Sequence, residues 1–285
     1  MNMTMRKRKA ALCACSDPLS EVRRPQIEQL VNMLEARGLT VTASPYLFGC
    51  AEPDQGKSKA AVLSGFFADP EMEFVFDVSG GDLANTVLRH LDYSAIRNSR
   101  AHFYGFSDLT TVINAIYTRT GREAVNYQVR NIAALDEAEQ YFDRAVLQHR
   151  ISENDLEAEM LRGDSIRGRV IGGNLRCMLK LAGTQFWPDM RGKVLLLESL
   201  GGGVSQMTTM IEQYMELGAA EMISGVLLGT FTNMEREGLK PSIEEIVLRA
   251  FQREIPVART RFVGHGSDAR AIVIGREIEI GKIGE

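Results

Sequence analysis

In the first half of the chain, short apolar runs alternate with segments of helical periodicity, and no other feature restricts the fold so strongly. "AALCAC" (10–15), "LTVTASP" (39–45), "EFVFDVSGG" (73–81) and "AHFYGFS" (101–107) have the length and content of buried strands. Between them lie "EVRRPQIEQLVNMLEARG" (21–38), "KSKAAVLSGFFADP" (57–70) and "LANTVLRHL" (83–91), each read as a helix, and "LTTVINAIYTRTG" (109–121) follows with a glycine stop. Strands separated by helices of this length make βαβ units and a parallel sheet. Ligands of such sheets gather beyond the C-terminal strand ends, so residues at those ends are the first candidates for chemistry.

From residue 131 to 168 the composition shifts. "LDEAEQYFDRAVLQHRISENDLEAEMLRGD" is charged and helix-prone, and is expected to bridge two domains, 1–150 and 151–285. The second contains "GRVIGGNLRCMLKLAGT", "KVLLLES", "ISGVLLGTF", "IPVARTRFVGHG" and the closing "ARAIVIGREIEIG", whose alternation suits an antiparallel edge. At 285 residues and 45% hydrophobic, the chain can bury a core of that size. A net charge of −4, with Lys and Arg scattered, argues against a nucleic-acid partner. No stretch approaches the roughly 20 apolar residues of a membrane span, and the apolar run after the basic start is too short for a secretion signal. Cys13, Cys15, Cys50 and Cys177 have no zinc or C-x-x-C spacing, and Cys13 and Cys15 are expected on one face of a strand as buried thiols in a reducing cytoplasm. "DQGKSKA" fails as a phosphate loop because position 51 is Ala. Neither a metal nor a cofactor is expected.

Three residues stand where a strand runs into a loop. Ser107 follows an apolar strand and precedes a helix, which suits a raised nucleophile and equally suits an N-cap. Glu198 ends "KVLLLES" just before three glycines, as a site's acid would, or as a solvated strand end would. His265, between Gly264 and Gly266, is the histidine freest to reach across a cleft; His90, His102 and His149 lie in helical or strand contexts. Gly80 and Gly81 form a strand-to-helix turn whose N–H groups suit an oxyanion hole. Hydroxyl attack needs a base, an acid that orients it and oxyanion donors, and the chain offers one candidate for each role.

The segments that carry these residues resemble, in order, those of the LD-carboxypeptidase family of serine peptidases, which includes muramoyltetrapeptide carboxypeptidases and microcin C immunity peptidases. "ADPEMEFVFDVSGGDLANTVLRHLDYSAI" is similar to the family's glycine-turn block, and "YGFSD" to its nucleophile motif. "GGNLRCMLKLAGTQFWPDMRGKVLLLES" resembles the block with the acid, and "GVLLGTF" and "PVARTRFVGHG" resemble the last landmarks; together they run from Lys9 to Gly281. The resemblance implies a flavodoxin-like parallel-sheet N-terminal domain and a smaller β-rich C-terminal domain. It implies Ser107 as nucleophile, His265 as base, Glu198 as its partner, and the N–H groups of Asp108 and Gly81 as the oxyanion hole. It further implies a metal-free cytoplasmic homodimer that removes a terminal D-Ala from murein tetrapeptide.

This chain departs from that pattern at Ser79 and Asp82 around the paired glycines, at Ser199 after the glutamate, and in "VNYQVRN" (125–131), where a Gly-Pro element is usual. All are expected near the bound substrate. A peptidyl-nucleotide antibiotic is the alternative substrate, and a binding protein that has lost activity is the alternative class. A general α/β-hydrolase esterase is disfavoured by Leu109, where a glycine is needed.

Overall fold

The computed structural model describes residues 8–50, 55–251 and 255–281. The basic start of the chain and position 51 of the rejected phosphate loop lie outside them. The first elements are β1 (Arg8–Cys13), α1 (Arg24–Glu35), β2 (Leu39–Ala43), α2 (Gly56–Ala68), β3 (Met72–Asp77), α3 (Tyr93–Asn98), β4 (His102–Gly105), α4 (Thr110–Thr120), β5 (Ala124–Asn126) and α5 (Asp136–Tyr141). They are followed by β6 (Glu159–Arg162), β7 (Ser165–Asn174), α6 (Leu175–Leu179), β8 (Lys193–Ser199), α7 (Val204–Glu216), α8 (Ala219–Met222), β9 (Gly225–Phe231), α9 (Thr232–Arg236), α10 (Ile243–Ala250), β10 (Val257–Arg259), β11 (Ile272–Ile274) and β12 (Glu277–Gly281).

The strands make two six-stranded sheets. The first has the order β11-β5-β4-β3-β1-β2; its five N-terminal strands are parallel and β11 is an antiparallel edge. The second has the order β12-β7-β8-β9-β10-β6, with four parallel central strands and antiparallel edges at both sides. The expected α/β architecture is therefore present. The closing run is an antiparallel edge twice over: 272–274 returns to the first sheet and 277–281 pairs with β7 in the second. A division at residue 150 follows the sheets except for β11.

Local sequence explains most elements. Helix α1 buries Ile27, Leu30 and Leu34, one face at helical spacing, and Pro25 sits in its first turn where its missing N–H costs nothing. The segment "LANTVLRHL" is a 3₁₀ helix, Ala84–His90, and not the expected α-helix. The charged stretch after residue 135 is also less helical than its composition suggests: α5 gives way to a π turn, Phe142–Val146, and a 3₁₀ turn, Glu153–Leu156.

Helix α4 lies between the two sheets and is buried from Thr110 through Ile116. One apolar cluster, which includes Val112, Ile113 and Ile116 of α4, continues into Val170, Leu195 and Leu227 of the second sheet. The polar face of the same helix grips β7. Asn114 Nδ2 donates to the Gly172 carbonyl at 2.8 Å, and Gly172 N–H donates to Asn114 Oδ1 at 2.9 Å. Asn174 N–H donates to Thr110 Oγ1 at 2.9 Å. Gly173 (φ 133°) permits this approach, because a Cβ there would lie 2.7 Å from Thr110 Oγ1.

Two outcomes follow for stability. Asn114→Ala removes a two-bond clamp and strands a buried backbone N–H, so it should cost about 2–4 kcal/mol in urea unfolding; an unchanged midpoint would mean that the clamp carries no stability. His102, at the start of β4 with the His149 ring 4.7 Å away, is pushed down to about 4 by burial. Its unfolded-state value is about 6.5, so the unfolded chain binds the extra proton between these limits. Stability should be complete above pH 6.5 and should fall by about 2 kcal/mol as pH drops towards 4, after allowance for solvent screening. His102→Gln should flatten this part of the pH profile.

Candidate active site

The C-terminal ends of the parallel strands in both sheets point toward one region. From the first sheet come residues 14–17 after β1, the Gly80–Gly81 turn after β3, and Ser107 after β4. From the second come Glu198 near the end of β8 and the loop carrying His265 after β10. The first sheet also reverses its strand order between β1 and β3, where an α/β sheet opens a crevice.

Ser107 has φ 56°, one of three positive-φ residues other than glycine among those described. Such a backbone costs about 1–3 kcal/mol and persists only where its surroundings hold it. The N-cap of the 3₁₀ turn Ser107–Leu109 is Phe106, and no side chain caps it. The capping role expected as an alternative for Ser107 is therefore absent, and the strained elbow is what the backbone displays.

Glu198 and His265 are brought together. His265 Nδ1 lies 2.8 Å from Glu198 Oε2, with side-chain exposures of 7% and 2%. A carboxylate only accepts, so Nδ1 donates to it, and in the neutral imidazole this leaves the lone pair on Nε2. Glu198 sits at a register shift between Leu197 and Ser199 in the pairing of β8 with β9, an irregularity of the kind that re-aims a side chain. The histidine loop is closed by Arg270 N–H on the Phe262 carbonyl at 2.7 Å and tied to the first unit by Asn131 Nδ2 on the Gly266 carbonyl at 3.1 Å. Gly264 (φ 146°) packs against Thr230, leaving no room for a Cβ.

Among the described residues no hydrogen bond joins Ser107 to His265. The Phe106 ring lies 5.0 Å from the His265 ring, at 52° to it, while His265 Nε2 is buried and unpaired. A loose nucleophile–base contact is common before a substrate is bound. The N–H groups of Gly81 and Asp108 donate to no acceptor among the described residues.

A polar network, missed in the sequence, fixes these parts. The fully buried Asp108 carboxylate accepts from Ser16 Oγ at 2.6 Å, Ala84 N–H at 2.8 Å and Lys180 Nζ at 2.6 Å. Lys180 comes from the second unit and also donates to the Asp82 carbonyl at 2.9 Å. Arg176 of α6 pairs with the Asp82 carboxylate, holding it below the usual range, and reaches the Gly81 carbonyl at 3.5 Å. Two cations of one unit thus hold the glycine turn of the other. The sequence signal was a pair of basic residues, four apart, on and just after a short helix, which is too common to single out.

Two of the departures lie inside the protein. Ser79 is fully buried, donates to Asp77 Oδ1 at 2.5 Å and accepts from Ser16 N–H at 3.1 Å. Ser199 is 6% exposed and donates to the Gly201 carbonyl at 2.9 Å. Both complete internal hydrogen bonds, whereas Asp82 is exposed. Cys15 follows the end of β1, so the pair with Cys13 is not on one strand, though both thiols are buried and free. Cys13, Cys15 and Asp77 place ligand-type atoms within 4.8 Å of one another. Both Asp77 oxygens already accept hydrogen bonds, from Cys15 N–H and from Ser79, and the Cys15 thiol together with burial pushes the Cys13 thiol well up. The donor set fits a packed core better than a metal, which needs a thiolate.

Comparison with known proteins agrees with this geometry. A probable murein peptide carboxypeptidase of Bacillus subtilis is 27% identical over 236 residues, covering 78% of this chain and 72% of that protein. A murein tetrapeptide carboxypeptidase of Pseudomonas aeruginosa is 24% identical, covering 91% and 89%. The crystal structure of an MccF-like protein from Bacillus anthracis shares the fold, with a TM-score of 0.81 at 22% identity over 97% and 94% of the two chains. Residues 10–127 match the LD-carboxypeptidase N-terminal domain and residues 167–280 its C-terminal domain, so the chain belongs to the LD-carboxypeptidase family.

Proposed function

We propose that the protein is a serine peptidase that hydrolyses an L,D-peptide bond and releases a C-terminal D-amino acid, D-Ala in the case of murein tetrapeptide. The observation that supports this most directly is the buried His265–Glu198 pair, whose free Nε2 lies beside the loop that strains Ser107. In this reading Nε2 takes the Ser107 proton as Oγ attacks the carbonyl carbon of the scissile bond. Glu198 stays ionised and stabilises the imidazolium that forms. The oxyanion is received by Gly81 and Asp108 N–H, both held by the Asp108–Lys180–Asp82 network. His265 then protonates the leaving amine, and water, deprotonated by the same nitrogen, frees the acyl group from Ser107.

The substrate assignment draws on the relative from Pseudomonas aeruginosa named for murein tetrapeptide. A non-catalytic binding protein is the second reading, favoured by the missing Ser107–His265 hydrogen bond. Turnover of a D-Ala-terminated murein tetrapeptide separates the two, with a peptidyl-nucleotide assayed alongside. Ser107→Ala should lower kcat by about 10⁴- to 10⁶-fold with the unfolding midpoint unchanged. Glu198→Gln should lower kcat by about 10⁴-fold, because the amide no longer enforces the productive tautomer. Near wild-type turnover by Ser107→Ala would remove the serine from the mechanism.

A further inference from the structure

Buried polar side-chain atoms without a partner are concentrated just past the end of β5. Asn126 Oδ1, Tyr127 Oη, Gln128 Nε2 and Arg130 Nε are four of the ten such atoms among the described residues, and they fall within five consecutive positions. Native interiors leave few such groups, so a cluster marks a place where something else completes the bonding. The segment belongs to "VNYQVRN", the stretch that departs from the family pattern.

Two of the donors in this cluster, Gln128 Nε2 and Arg130 Nε, are the informative ones. Gln128 is 5% exposed, and its Oε1 accepts from Arg130 N–H at 3.1 Å, which pins the amide and leaves its NH₂ group free. Arg130 is half-buried, its Nε is buried and unpaired, and its guanidinium makes no hydrogen bond or ion pair with any described residue. The charges that act on it are Asp77 at the end of β3, which favours its charged form, and Arg23 after β1, which opposes it; burial lowers it to about 10. Both oxygens of Asp77 are already taken by Cys15 N–H and Ser79. The Arg130 segment follows β5, whose C-terminal end lies beside that of β4 in the sheet that carries Ser107 and Gly81. The next residue, Asn131, holds the histidine loop.

We propose that Arg130, with the Gln128 amide, binds the free C-terminal carboxylate of the substrate and so makes the enzyme act only on chain ends. A planar fork of N–H donors matches a carboxylate in two parallel bonds, and the Gln128 NH₂ group offers a further donor to an acceptor-only ligand. The inference rests on the peptidase reading above, because a carboxypeptidase must recognise this group. It also gives a partner to a cation that has none among the described residues.

The test uses a D-Ala-terminated murein tetrapeptide, its C-terminal amide, and AMP as a phosphate probe. Binding is measured calorimetrically on Ser107→Ala protein, so it does not depend on turnover. The acid should bind about 10- to 100-fold more tightly than the amide, and adding Arg130→Gln should remove that difference. Arg130→Lys should restore part of it. Arg130→Gln should unfold at the same or a higher temperature, since it removes a half-buried guanidinium with no partner among the described residues; a purely structural arginine would lower it. Equal affinity for acid and amide, no binding of the acid, an acid preference that survives Arg130→Gln, or Arg130-dependent binding of AMP alone would overturn the proposal. Failure of the peptidase reading is seen separately, as absent turnover of the acid by wild-type protein.

Discussion

Helix α4 and strand β7 meet through side-chain amide and backbone, and the geometry of everything above them follows from that contact. The nucleophile elbow precedes α4 directly, while β7 pairs with β8, which carries Glu198 and through it His265. Asn114 fixes the height of the helix on the strand by pairing with both polar groups of Gly172, and Thr110 fixes its start by accepting from Asn174. A shift of either element would change the serine–histidine separation, on which proton transfer depends steeply. The apolar cluster that runs through α4 into the second sheet resists such a shift, because a close-packed interior does not slide without opening voids.

Charge adds a second tie between the units. Asp108 is buried without exposure and stays compatible with the interior because Ser16, Ala84 N–H and Lys180 all donate to it. A carboxylate in this setting is costly if any partner is lost, so the network fixes a single arrangement of the glycine turn, the elbow and α6. Arg130 is treated differently by the same fold. It has no partner among the described residues, and in the proposal above that contrast separates a scaffold acid from a base that awaits substrate.

Much of this was legible in the sequence, for reasons that differ by element. The βαβ alternation revealed the first parallel sheet because buried parallel strands are uniformly apolar, and the three candidate residues were singled out because each ends such a strand or follows one. Three-residue strands carry no periodicity, so β5, β10 and β11 left little signal, and the return of 272–274 to the first sheet could not be read from a run that continues into β12. The Asp108–Lys180 and Asn114–Gly172 contacts join residues 72 and 58 positions apart, and neither residue type nor spacing announces them. The internal bonds of Ser79 and Ser199 were hidden for a related reason. A small polar residue beside a glycine turn suits a substrate pocket and an internal hydrogen bond equally, and the choice depends on partners, here Asp77 and Gly201, that only the folded chain brings into range.

The account depends on one serine, one imidazole and two backbone N–H groups converging on a single tetrahedral centre. The crystal structure of the protein after reaction with a serine-directed phosphonate tests this directly. The expected result is a bond from Ser107 Oγ to phosphorus, with the phosphoryl oxygen within hydrogen-bond distance of Gly81 and Asp108 N–H and His265 Nε2 beside Oγ. An adduct on another residue, or a Ser107 adduct with the imidazole turned away and the phosphoryl oxygen in solvent, would contradict it.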